Sequence, residues 1–127
     1  MKFYEYEYEL NGETKELKLR LVSSDMKLIE KFTGMSLLDY VSNPTITMIT
    51  TMLRYMNRPN IPNYSEKDAD KLYDELVDAG LTLENIYLDL IMETLVVSGF
   101  MKKEELEAMK NKQQEEKSEK LETPSKK

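Results

Sequence analysis

The sequence predicts an α+β fold, in which an N-terminal antiparallel β-hairpin packs on a small, mostly helical bundle with a charged C-terminal tail. Residues 3–10, FYEYEYEL, alternate aromatic and acidic side chains, the period-2 pattern of a strand with two unlike faces. After Val22 the apolar spacing becomes helical, and beyond Met109 no apolar periodicity remains. We expect one domain of hairpin and helices in residues 1–110 and a charged, disordered tail at 111–127.

The hairpin is predicted from the strand at 3–10, the Asn-Gly that follows it and a second strand, KELKLRLV. One face is apolar and the other is charged, and the apolar face consists of Tyr4, Tyr6, Tyr8, Leu10, Leu17, Leu19 and Leu21. Two strand registers preserve the separation of the apolar face from the charged face. One has a two-residue Asn-Gly turn, and the other has a longer Asn-Gly-Glu-Thr loop that aligns Glu7 with Lys18 and Glu5 with Arg20. A lone hairpin is marginally stable in water, so the apolar face must be covered by the helices or by another copy of the chain.

A short helix is predicted directly after the hairpin. The segment Ser23-Ser24-Asp25 is the expected cap, because short polar side chains accept hydrogen bonds from the first backbone N–H groups of a helix. Leu28, Ile29 and Phe32 form one apolar side, and Gly34 ends the helix.

Four further helices follow. Ser36 and Asp39 have capping-box spacing before a brief second helix, and TITMITTMLRYMN predicts a third helix with one apolar stripe, although its threonines favour a strand. Ser65 and Asp68 open the fourth helix with the same spacing. Thr82 caps the fifth helix, LENIYLDLIMETLVVS, which is the most apolar segment of the chain.

The composition excludes several kinds of chemistry. The chain has no cysteine and no histidine, so disulfides, thiolate nucleophiles, His-based acid–base catalysis and the common zinc sites are excluded. The N-terminus lacks the basic and apolar regions of a signal peptide, and no apolar run approaches the roughly 18 residues of a membrane span. We therefore expect a soluble, cytoplasmic protein that does not act at a membrane.

The formal net charge of −6 is unevenly distributed. Residues 102–127 contain eight lysines and seven glutamates, which leaves residues 1–101 with 10 bases, 17 acids and a net charge of −7. Such a body repels phosphate backbones, and aromatic residues interleaved with lysine or arginine for base stacking are missing. We expect no nucleic-acid partner.

No residue pattern indicates an enzyme. The four glycines fall at the predicted hairpin turn and at helix ends, so none remains for a phosphate-binding loop. Acidic pairs at helical spacing, such as Asp89 and Glu93, are usually a solvated face and lack the pocket that carboxylate chemistry requires. We expect no catalytic residues, no cofactor and no metal site.

The fifth helix is apolar on more than one side, which makes it the main candidate for partner binding. Its broad apolar face suits docking on the hairpin, and Leu88, Met92 and Leu95 form a second stripe on roughly the opposite side. The remaining polar strip consists of Asn85, Asp89 and Glu93. Such a helix is either buried on all sides or shared with a partner or a second copy, and the sequence leaves both alternatives open.

Two residues just after the fifth helix have the same ambiguity. Phe100 and Met101 follow Gly99, and either extend the partner-binding stripe or supply the hydrophobic contact of a Schellman cap. The nine methionines of the chain have two interpretations as well, since methionine suits adaptable binding surfaces and also fills irregular gaps in cores. The candidate partner-binding residues are Leu88, Met92, Leu95, Phe100 and Met101.

The order and spacing of these segments resemble the small tail assembly chaperones of long-tailed, siphovirus-type phages and prophages of Gram-positive bacteria. The resembling segments are the striped hairpin MKFYEYEYELNGETKELKLR, the segment NPTITMITTMLRYM, the helical pair LYDELVDAGLTLENIYLDLIMETLVVSGFMKK and the lysine-rich tail. They span most of residues 1–110, and none is a catalytic fingerprint.

The resemblance implies a non-virion protein that acts in the host bacterial cytoplasm. Such a chaperone binds the long helical tape-measure protein and keeps it soluble while tail-tube subunits assemble around it. The implied partners are the tape-measure protein and the tail-tube protein, and the uncovered strand edges and surplus apolar surface also make a homo-oligomer an expectation. The alternative is a small acidic helical adaptor or an anti-repressor-type protein-binding module.

Overall fold

The computed structural model describes the backbone of residues 1–122 and the side chains of residues 1–112. Within these residues an antiparallel hairpin is followed by six helices, so the predicted α+β class is confirmed. The strands are β1 (Tyr4–Leu10) and β2 (Glu13–Leu19), and the first helices are α1 (Ser23–Thr33), α2 (Leu37–Val41), α3 (Ile46–Asn57) and α4 (Glu66–Asp78). Helix α5 is continuous through three segments, Leu83–Ile86, the π-helical Tyr87–Met92 and Glu93–Val97, and α6 is Lys103–Glu122.

The hairpin turn contains two residues. Asn11 and Gly12 have φ angles of 53° and 82°, as a type I′ turn requires at both central positions. This turn places Glu5 opposite Lys18 and Glu7 opposite Glu16. The two-residue register is therefore the observed one, and the pairing of Glu7 with Lys18 that the longer loop would give does not occur.

The two faces of the hairpin differ in burial, as predicted. Tyr8, Leu19 and Leu21 are buried, whereas alternate residues of β1 such as Glu5 and Glu7 are exposed. The apolar face covers α3, α4 and the last segment of α5. Backbone contacts reinforce this docking, since the Arg20 N–H donates to the Met56 carbonyl at 2.9 Å.

Side-chain caps position four of the helices. The hydroxyls of Ser36 and Thr45 accept backbone N–H groups at the starts of α2 and α3. Ser65 with Asp68, and Thr82 with Asn85, form complete capping boxes at α4 and α5. The starts at Ser36, Ser65 and Thr82 were predicted, although the Ser36–Asp39 pair forms only the hydrogen bond from the Asp39 N–H to the Ser36 hydroxyl. The Thr45 cap was not predicted.

The predicted cap of α1 is wrong. The N-cap is Val22, which contributes no side-chain hydrogen bond, and Asp25 lies inside the first turn of the helix. Asp25 is buried, and its carboxylate lies 3.5 Å from the Arg58 guanidinium near the end of α3. The carboxylate therefore binds a neighbouring element instead of the N–H groups of its own helix.

The core is formed mainly by α3, α5 and the apolar face of the hairpin. The predicted helical state of α3 is confirmed, although Ile46 at its start is exposed. Four methionines that could have formed an adaptable surface are instead buried in the core: Met48, Met52, Met56 and Met92. Methionine therefore serves here mainly as a core-filling residue.

The last helix, α6, crosses the predicted domain boundary at residue 110 without a break in the helical backbone. Leu106 near its start is buried against the core. Residues 123–127 of the predicted tail lie outside the described part of the chain, so the tail's disorder stays a prediction. None of the helices in residues 1–122 combines the length and the apolar character needed to cross a membrane.

Candidate partner-binding surface

The stripe on α5 is part of the interior, so the expectation that it forms a free surface is wrong. Leu88 is 8% exposed, and Met92 and Leu95 are 0% exposed. The π-helical segment contacts α3 and α6, and the last segment contacts β1 and α6. The central-core alternative that the sequence left open is therefore the observed one.

A π-helical turn displaces Leu95 from the position that a regular helical wheel assigns to it. An α-helix turns by about 100° per residue, but the hydrogen bonds of the segment Tyr87–Met92 join residues five apart, which lowers the rotation per residue. Side chains after the segment are therefore displaced around the helix axis from the positions that a regular wheel assigns. Together with coverage from three sides, this places Leu95 inside the core.

Phe100 and Met101 belong to the end of α5. The Phe100 N–H donates to the Leu95 carbonyl at 2.9 Å, and the Gly99 N–H donates to the Val96 carbonyl at 3.1 Å. These are the two hydrogen bonds of a Schellman motif. Both Phe100 and Met101 are partly buried against the core, so the capping alternative accounts for them and their role in partner binding stays a prediction.

The polar strip of α5 is occupied by contacts within the chain. Asn85 completes the capping box of the helix. Lys110 of α6 lies 3.6 Å from the Asp89 carboxylate and 3.2 Å from the Glu93 carboxylate. Burial, with Glu93 and Asp89 adding to it, raises the pKa of Tyr4 to about 12. This face of α5 therefore lies between the hairpin and α6.

The exposed apolar surface lies instead on α1 and α2. We define the α1–α2 patch as Leu28, Phe32, Met35 and Leu38, which are 45%, 59%, 43% and 56% exposed. The other large exposed apolar side chains in residues 1–112 are distributed over the rest of the chain: Met1, Ile46, Ile61 and Val77. Half of the exposed large apolar side chains therefore fall within eleven consecutive residues, the type of clustering that marks interaction sites.

The inner side chains of the same two helices hold the patch in place. Ile29, Leu37 and Val41 are buried, and the Tyr87 hydroxyl of α5 donates to the Val41 carbonyl at 2.6 Å. The sequence pattern placed Leu28 and Phe32 on one apolar side of α1 together with Ile29, but only Ile29 is buried. Adjacent helical residues point about 100° apart, so a short helix at the edge of the fold can bury Ile29 while it exposes Leu28.

A recess of about 300 Å³ lies beside Phe32 and is lined by Phe32, Thr51, Arg54, Tyr55 and Glu66. The Phe32 and Tyr55 rings are stacked, with centroids 6.4 Å apart. The guanidinium groups of Arg54 and Arg58 each lie 5.4 Å from the centre of the Tyr55 ring. The patch thus continues from α1 across an aromatic pair to two arginines of α3 and its C-cap.

Several basic groups beside the patch have no acidic partner. Arg58 is paired with Asp25, whose pKa is raised by burial, an effect that Arg58 partly opposes. Lys27, Lys31 and Arg54 form no ion pair with any residue in the described part of the chain, and the Nε of Arg54 is buried without a hydrogen-bond partner. These positive charges are at variance with the acidic character of the rest of the body.

A second cleft, of about 440 Å³, lies between the hairpin and α4. Three of the polar side chains that line it, Tyr8, Lys15 and Glu75, bind one another. The Tyr8 hydroxyl donates to Glu75 at 3.2 Å, and Lys15 lies 3.5 Å from the same carboxylate. Burial and Glu75 raise the pKa of Tyr8 to about 12, which keeps the phenol protonated. This cluster ties the hairpin to α4 and offers neither a free base nor an activated nucleophile.

Groups of acidic side chains that could hold a metal ion do not occur among the described residues. Among the residues whose side chains are described, the α1–α2 patch, with its aromatic recess and unpaired basic groups, is the arrangement best suited to bind another molecule. Comparison with protein-family models, with curated proteins and with solved structures finds no match for this chain.

Proposed function

We propose that this chain is a phage tail assembly chaperone that binds the tape-measure protein and keeps it soluble while the tail tube assembles. The resemblance in the order and spacing of its segments supports this assignment. The observation that carries it in structural terms is the α1–α2 patch, because a surface with clustered exposed apolar side chains is suited to hold another apolar segment.

The distribution of charge supports the same function. Residues 1–101 have a net charge of −7, and a high net charge keeps a protein and its complexes soluble through mutual repulsion. The patch occupies one side of this acidic body, so a captured apolar segment would be covered there while the rest of the surface stays charged. Capture and solubilisation are then two effects of one small domain.

The test is co-expression of the chain with the tape-measure protein encoded beside it. Wild-type chain should raise the soluble fraction of the tape-measure protein and copurify with it, whereas an unrelated acidic helical protein of similar size should do neither. The gene order provides a second measurement, since a tail assembly chaperone should be encoded between a major tail protein and a very long tape-measure protein. Absence of both the gene order and the capture would overturn the proposal in favour of the adaptor function.

A further inference from the structure

We propose that the α1–α2 patch recognises an amphipathic helix of a different chain, whose apolar stripe is flanked by aspartate and glutamate side chains. This inference rests on the proposed function for its biological partner, which would be a segment of the tape-measure protein. Its physical basis is the combination of exposed apolar side chains with unpaired basic groups on an otherwise acidic body.

The apolar part of the patch matches the spacing of a helix. Leu28 and Phe32 are four residues apart on α1, so they lie one above the other on the same side of the helix. Met35 follows the end of α1, and Leu38 lies in the first turn of α2, which contacts α1. Leu28 and Phe32 thus form an apolar ridge along α1, and Phe32 borders a recess of about 300 Å³, into which one large side chain of the partner can insert.

Basic groups lie on both sides of this ridge. Lys27 and Lys31 are also four residues apart and lie next to Leu28 and Phe32 on the outer side of α1. Arg54 lines the recess on the other side of Phe32, with its Nε buried and unbonded. Carboxylates on both edges of a partner stripe would meet these groups, and one of them could accept a hydrogen bond from Arg54.

Three carboxylates near the patch do not remove this preference. Glu30 accepts a hydrogen bond from the Leu37 N–H at 3.4 Å, so it acts at the start of α2. Asp39 lies in the first turn of α2, and Glu66 lies in the first turn of α4 at the rim of the recess. Neither the three basic residues nor these carboxylates form an ion pair within the described residues. Glu30 is two positions from both Leu28 and Phe32, so it lies on the other side of α1. Lys27 and Lys31 are therefore the charges of α1 nearest to the ridge.

The charge pattern disfavours other occupants of the patch. In a two-fold dimer through the patch, the surface would face its own copy and bring Lys27 and Lys31 of both subunits together, and like charges across an interface are unfavourable. The acidic outer face of the hairpin lacks apolar side chains to fill the recess. The chain's own C-terminal segment contains a single large apolar residue after Met109, Leu121, and so lacks an apolar stripe.

Fluorescence anisotropy with two synthetic peptides tests this inference on the purified full chain. Both peptides are helices of about 20 residues, longer than the ~12–15 at which isolated helices are marginal, with one Leu/Phe stripe. One has glutamate beside the stripe and the other has lysine. Wild type should bind the glutamate peptide at least about tenfold more tightly than the lysine peptide. The basic groups beside the patch attract the glutamates of the first peptide and repel the lysines of the second.

Three variants identify the surface. The double substitution Leu28→Ser/Phe32→Ser should weaken binding of the glutamate peptide by about tenfold or more, since it removes the apolar ridge. The substitution Lys27→Glu/Lys31→Glu should shift the preference toward the lysine peptide. Val77→Ser, which changes an exposed apolar residue of α4, is the matched control and should bind as wild type does. Circular dichroism confirms that each variant is folded.

The results separate this inference from the proposed function. Equal affinity for the two peptides, no binding of either, or binding unaffected by Leu28→Ser/Phe32→Ser overturns the inference. If wild type captures the tape-measure protein and the folded Leu28→Ser/Phe32→Ser variant captures it equally well, the patch is not the binding surface and the chaperone function stands. If wild type binds the glutamate peptide selectively but not the tape-measure protein, the patch stands and the partner is another acidic helix.

Discussion

Helix α5 and the α1–α2 segment both carry more apolar side chains than one helical face requires, yet they use them differently. In α5 both stripes are enclosed, whereas in α1–α2 the inner residues are buried and the outer ones stay exposed. Contacts explain the difference, because α5 meets β1, α3 and α6 while the main neighbour of α1 is α2. Surplus apolar surface on a helix therefore indicates binding only where the fold leaves one side of that helix uncovered.

The largest expected effect comes from truncating one apolar side chain in each region. Leu95→Ala should lower the free energy of unfolding by about 2–5 kcal/mol, because Leu95 is fully buried and the substitution leaves a cavity. Leu28→Ala should change it by less than about 0.5 kcal/mol, because Leu28 is already exposed. Urea denaturation of both variants measures the difference, and equal losses of stability would contradict the assignment of interior and surface.

Sequence reasoning succeeded where the signal was local. The Asn11-Gly12 turn, the capping box at Ser65 and the cap at Thr82 depend on residues within a few positions of each other. Alternation also identified the buried face of the hairpin, because a strand that packs on one side must alternate. These features determined most of the element boundaries and the α+β class.

Sequence reasoning failed where the outcome depends on distant parts of the chain. Asp25 was assigned to a cap, but Arg58, thirty-three residues later, provides its partner. The coverage of Leu88 and Leu95 depends on the placement of α6 and β1 and on a π-helical turn, none of which a regular helical wheel contains. The α1–α2 patch was missed because nothing within α1 states which of Leu28 and Ile29 will face the core.

Alkaline pH should lower the free energy of unfolding through Tyr8, a tyrosine on the buried face of the hairpin. The pKa of Tyr8 is raised from 10.0 to about 12 by burial and by Glu75, so the folded state retains a proton that the unfolded state loses. Stability should therefore fall as the pH rises from 10 to 12, by an amount of order 1–2 kcal/mol for this group.

Urea denaturation at a series of pH values measures this loss. Tyr8→Phe removes the titrating group, so the variant should lose less stability than wild type between pH 10 and 12. At pH 7 the variant should be less stable by about 1 kcal/mol, because the hydrogen bond to Glu75 is missing. An identical pH profile for wild type and variant would show that Tyr8 is not held in its protonated form by the fold.

The smallest expected effect compares one lysine from each region. Lys110 lies 3.6 Å and 3.2 Å from the carboxylates of Asp89 and Glu93 and is partly exposed, so Lys110→Ala should lower the free energy of unfolding by only about 0.2–1 kcal/mol. Lys31 has no ion-pair partner among the described residues, and Lys31→Ala should leave stability within about 0.5 kcal/mol of wild type.

In peptide binding, Lys31→Ala should have the larger effect of the two substitutions, because Lys31 flanks the patch and Lys110 contacts α5. Lys31→Ala should weaken binding of the glutamate-flanked peptide, and added salt should reduce the difference from wild type by screening the charge. Lys110→Ala should bind the peptide as wild type does. Loss of stability on removal of Lys31, or loss of peptide binding on removal of Lys110, would mean that the two regions do not divide folding and recognition between them.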